Sequence, residues 1–97
     1  LGVSEASLNA HGAVSEAVAR EMVEGARARF NATFAVACTG IAGPTGGTPE
    51  KPVGLVYIGV AGPRGTRVER CQFSGDRESV KKQTADQALS LVLEAMT

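Results

Sequence analysis

An α/β domain is the fold class predicted by the sequence, on three observations. Two stretches, residues 33–38 and 54–61, are nearly continuous apolar runs, the pattern of strands covered on both faces. Two longer stretches, residues 15–30 and 77–96, repeat apolar residues at helical spacing. Joining the apolar runs is a connection, residues 38–54, that holds five glycines and three prolines. It is longer than a hairpin turn, and long loops in compact domains tend to be functional. Glycine allows close backbone approach to a ligand and proline stiffens the path, so the loop reads as a shaped cradle.

In chain order, residues 1–12 suggest a short helix with Ser4 as N-cap, Glu5 in its first turn and Gly12 past its end. His11 sits beside that end as a capping or core-edge histidine. Ser15 caps the clearest helix, with Glu16 in its first turn and Val14 as a staple residue. Val18, Ala19, Met22, Val23, Ala26 and Phe30 share its apolar face, with Met22 and Phe30 read as core, and Asn31 stops it. The tight turn Gly62-Pro63-Arg64-Gly65 predicts a hairpin into a third strand at residues 66–73. There the apolar parity switches between Val68 and Cys71, which predicts a bulge or an exposed edge. Ser74 and Asp76 are N-cap choices for the last helix, residues 77–96, whose buried side is Val80, Thr84, Ala88, Leu91, Val92 and Ala95.

With 97 residues the chain is one domain or part of one; it is 43% hydrophobic and 21% charged. Ten basic residues balance ten acidic ones, so no whole-molecule field attracts nucleic acid or an anionic membrane. Arg27 with Arg29, and Lys81 with Lys82, read as solvated helix faces. Two cysteines lacking CxxC spacing make no disulfide scaffold and fit a reducing cytoplasm. The opening Leu1-Gly2-Val3 reads as mid-domain sequence, the expectation being an N-terminally truncated fragment.

The cradle matches neither GxxxxGK[ST] nor a dinucleotide fingerprint, since its glycines lead into a strand. Anion or substrate binding by backbone N–H groups and a purely structural loop both stay open. Thr39 stands where strand meets loop, with its hydroxyl within reach of a substrate. Ser74-Gly75-Asp76-Arg77 joins a strand to a helix, where free N–H groups and an arginine suit a phosphate or carboxylate. Arg77 paired with Asp76 or Glu78 on the surface is the structural alternative. Cys38 reads as a buried thiol and Lys51 as an ion-pair partner, each rather than a catalyst.

Thr39-Gly40-Ile41-Ala42-Gly43-Pro44, Gly46-Gly47, Glu50-Lys51-Pro52-Val53-Gly54 and Phe73-Ser74-Gly75-Asp76-Arg77 together resemble the C-terminal domain of competence/damage-inducible protein CinA. The similarity takes in His11-Gly12-Ala13-Val14-Ser15 and so covers nearly the whole chain. It implies a three-layer α/β/α fold, no cofactor, no metal and a homo-oligomer. Stand-alone bacterial versions of that domain are nicotinamide-nucleotide amidohydrolases, which turn nicotinamide mononucleotide into nicotinic acid mononucleotide and ammonia. The resemblance implies that Thr39 orients the reacting amide or its oxyanion. Gly40, Ile41, Ala42 and Gly43 would bring backbone N–H groups to the ligand, and Arg77 would hold the phosphate or ribose end. The family's serine nucleophile and activating lysine belong to an upstream SCTGG-type region that this sequence does not contain, so the isolated chain is expected to be inactive. The alternative is a non-catalytic nucleotide-binding or interaction module of a CinA-type protein.

Overall fold

The structure, a computed structural model, describes residues 12–43, 45–49 and 51–96. The helix expected over residues 1–12 lies outside these except for Gly12, whose φ of +75° is the left-handed conformation expected of it. Helix α1 spans Glu16–Arg29. Ser15 caps it as the sequence predicts: its backbone is extended and its hydroxyl accepts the Val18 N–H at 3.2 Å. Glu16 in the first turn and Arg27 and Arg29 in the last complement the helix dipole. Val18, Ala19 and Val23 are buried, but Phe30 is not core: it is 68% exposed. The helix ends at Arg29, Phe30 becomes its C-cap and Asn31 turns the chain at φ +50°, so the helical repeat stops before Phe30 can reach the sheet.

Three strands follow: β1 at Ala35–Gly40, β2 at Leu55–Gly62 and β3 at Gly65–Gln72. They form one antiparallel sheet in the order β1-β2-β3. Pro63 and Arg64 alone separate the paired Gly62 and Gly65, giving the tight hairpin the sequence predicts. The expectation of a first strand buried on both faces fails. β1 is an edge strand with Val36, Cys38 and Gly40 exposed and Ala35, Ala37 and Thr39 half-buried. Its apolar run is composed of small residues along one open edge; the strand covered on both faces is the central β2. The parity switch in β3 is an edge and not a bulge, because the register with β2 is unbroken from Gly65 to Gln72. Val68 lies opposite Gly59 and Cys71 opposite Val56, so the two side chains serve different faces.

Helix α2, Arg77–Met96, completes a three-layer α/β/α arrangement. A Cβ on Gly59 would meet Val23 and the Ala19 carbonyl at 3.0–3.1 Å, which puts α1 hard against the odd-numbered face of β2. Val56, Ile58, Val60 and Cys71 form the other face and pack with Val80 and Leu91 of α2. Thr84, Ala88, Val92 and Ala95, predicted as buried, are half-buried at the margins of that contact. The loop between β1 and β2 is left at the end of the sheet beside the N-termini of both helices.

Candidate active site

The cradle is closed at its neck and pinned by its own glycines. The Ile41 N–H donates to the Leu55 carbonyl (2.9 Å) and the Gly54 N–H to the Ile41 carbonyl (2.6 Å). Gly54 then accepts from the Phe73 N–H at 2.9 Å, tying the neck to the end of β3. At φ +94° its missing side chain would strike the Phe73 carbonyl oxygen. Gly43, at φ +88° and buried, lies so close to Val53 that a Cβ would come within 2.6 Å of it. Farther along, the Thr48 N–H donates to the Lys51 carbonyl (2.9 Å) and the Lys51 N–H to the Thr48 hydroxyl (3.0 Å), closing a short turn.

The predicted site residues divide into three kinds. Gly40 and Ile41 belong to the neck: a Cβ on Gly40 would collide with Val56 at 2.7 Å, and the Ile41 N–H is committed to Leu55. The Ala42 and Gly43 N–H groups find no acceptor among the described residues. Thr39 and Arg77 hold the cradle from either side. The half-buried Thr39 faces the α1 side and donates its hydroxyl to the Ala13 carbonyl at 2.8 Å. The Arg77 guanidinium donates through Nη1 to the Gly43 carbonyl at 3.1 Å, and no ion pair joins it to Asp76 or Glu78.

Asp76 is the N-cap of α2, its carboxylate accepting the Ser79 N–H at 2.8 Å. That amide is therefore taken, which leaves the Arg77 and Glu78 N–H groups and the Arg77 side chain as the donors of the anion site expected there. Gln83 steadies the approach by donating to the Ser74 carbonyl at 2.7 Å. A cavity of about 380 Å³ opens beside the neck, lined by Cys38, Gly40, Ala42 and Val56 of the sheet side and by Val80 and Thr84 of α2. Cys38 opens onto it instead of being a buried thiol, as β1 has no neighbour on that edge among the described residues. Its partial burial raises the thiol above the usual value, so it is not a thiolate nucleophile at neutral pH. Among the described residues no group of His, Cys, Asp and Glu is placed to hold a metal.

Sequence reasoning missed the Thr39–Ala13 and Arg77–Gly43 contacts, which join residues 26 and 34 positions apart. No local pattern encodes either one.

The family model for the CinA C-terminal domain matches residues 1–96. This chain belongs to the CinA C-terminal domain family. A CinA-like protein of Anaeromyxobacter dehalogenans is 56% identical over 92 residues, covering 95% of this chain and 22% of that protein. The chain thus spans about a fifth of the curated relative it matches. Among solved structures, the competence/damage inducible protein CihA from Agrobacterium tumefaciens superposes with a TM-score of 0.97 at 38% identity, over 100% of this chain and 60% of that one. A CinA superfamily protein from Enterobacter cloacae gives 0.92 at 30% identity, over 99% and 57%. These CinA structures share the three-layer arrangement of this chain.

Proposed function

We propose that this chain forms one wall of a nicotinamide-nucleotide amidohydrolase site, acting in the reducing cytoplasm on nicotinamide mononucleotide and working as a homo-oligomer. The observation that carries this reading is the cradle itself: a threonine hydroxyl on one side, in the middle the N–H groups of half-buried Ala42 and buried Gly43, without an acceptor among the described residues, and an arginine on the other side.

Each part has a task that its hydrogen bonds define. The Thr39 proton points to Ala13, so its oxygen presents lone pairs and accepts from the carboxamide N–H₂. That orients the amide for attack. As the attacking oxygen bonds to the carbonyl carbon, negative charge develops on the amide oxygen; the Ala42 and Gly43 N–H groups are the fixed donors for it. The C–N bond then breaks and nitrogen leaves as ammonia. Arg77 holds Gly43 in place and turns its remaining donors toward the phosphate or ribose end.

Desolvation raises both thiols and the Glu69 carboxylate adds to the effect at Cys71, which disfavours a thiolate at either cysteine. The second reading is a non-catalytic nucleotide-binding module. Ammonia release from nicotinamide mononucleotide by the full-length protein separates the two. Under the first reading the protein releases ammonia, and Thr39→Val lowers kcat/KM by about a hundredfold. Saturable nucleotide binding without ammonia would establish the module instead.

A further inference from the structure

We propose that Val53 fixes the oxyanion donors of the cradle: its side chain is a wedge that keeps the Ala42 and Gly43 N–H groups in place, so that it acts on kcat and not on substrate binding. This rests on the amidohydrolase reading above and assigns a residue that the reading leaves without a task.

A backbone donor left for a ligand has no internal hydrogen bond to hold it. The Ala42 and Gly43 N–H groups find no acceptor among the described residues, so packing has to keep them still. Val53 supplies that packing. Its Cγ1 stands 2.6 Å from where a Cβ of Gly43 would lie, and its Cγ2 stands 2.9 Å from the corresponding point at Gly47. One branched side chain therefore occupies the space that both glycines leave, and it joins two parts of the loop that carry no side chain of their own. Its β-branching leaves it few rotamers, so the wedge is stiff.

The wedge is itself anchored. Val53 is half-buried and directly precedes Gly54 of the neck, and Gln72 at the end of β3 donates from Nε2 to the Val53 carbonyl at 2.9 Å. Gly43 is thus gripped twice, through its carbonyl by Arg77 at 3.1 Å and through its bare Cα by Val53. The reading also commits Arg77 to the nucleotide, whereas Val53 is tied only to the β2–β3 hairpin. Donors that drift lose most of their worth when charge develops on the amide oxygen, and the neutral carboxamide of the bound substrate needs them less. Loss of the wedge therefore falls on the transition state. Val53 is a positioning residue that acts through Gly43.

The test measures ammonia release from nicotinamide mononucleotide by the full-length protein, unaltered and as Val53→Ala, Val53→Thr and Gln72→Leu, below the thermal midpoint of each variant. Val53→Ala is expected to lower kcat by about tenfold or more and to leave KM within about twofold. Val53→Thr keeps the branched shape and should restore kcat. Gln72→Leu releases the Val53 carbonyl without opening a gap and should lower kcat by a smaller factor, again at constant KM. An unchanged kcat in Val53→Ala, a loss carried by KM, or an equal loss in Val53→Thr overturns the assignment of Val53 alone. If the unaltered protein releases no ammonia, the amidohydrolase reading fails and the Val53 assignment fails with it. Should Val53→Ala not fold, Gln72→Leu decides: a lower kcat at constant KM supports the wedge and an unchanged kcat overturns it.

Discussion

At Gly54 two constraints coincide: φ stands at +94° and the Phe73 carbonyl occupies the space of a side chain. At Gly65 only the first applies, with φ +122° and nothing within 4 Å. Gly54→Ala should therefore cost about 3 kcal/mol and Gly65→Ala about 1 kcal/mol in urea unfolding, a difference due to the collision and not to the backbone angle. The thiols give a second prediction at this scale. Burial raises Cys38, and burial, the Glu69 carboxylate and Cys38 together raise Cys71, from the ordinary 9.0. A raised thiol means that the folded protein holds its proton more tightly than the unfolded chain. That contribution is complete below pH 9.0 and is lost as pH rises through the folded values. Stability should fall above about pH 9, and Cys71→Ala should flatten the decline when midpoints are compared between pH 8 and 10.5.

Among the elements, the helices and the hairpin were legible because their signals are local. The Ser15 cap, the Asn31 stop, the Pro63-Arg64 turn and the span of α2 each depend on neighbours within one or two turns of chain. What escaped depends on remote partners. The apolar run at β1 suggested cover on both faces, yet cover is decided by which elements lie alongside, and Phe30 was read as core for a helix that ends one residue too soon. The site was legible to the same degree: its motifs marked Thr39 and Arg77, but their acceptors at Ala13 and Gly43 come only from the fold. Asp76 connects the two levels, since it caps the end of α2 from which Arg77 reaches Gly43. Asp76→Ala should lower stability by about 1 kcal/mol, read from the urea midpoint. It should also weaken nucleotide binding more than Ser15→Ala, which removes a cap of the same kind from α1.

Over the whole molecule, apolar surface is unevenly distributed. Leu89, Leu93 and Met96 are each more than half exposed on α2, and Val36 is 44% exposed on the open edge of β1. Both belong to the α2-bearing side of the sheet. Such a surface favours association, so sedimentation velocity should show a mass that rises with concentration, and Leu89→Glu with Leu93→Glu should lower it while shifting stability by about 0.5 kcal/mol or less. The connectivity of the sheet has a further consequence, in time. β2 and β3 meet across two residues, whereas β1 can pair with β2 only after residues 41–54 close on themselves, and longer loops lose more chain entropy on closing. The β2–β3 hairpin should therefore form early and the cradle late. Gly54→Ala should then speed unfolding and leave the refolding rate nearly unchanged. The cradle is the last part of this chain to be built and the first to be given up.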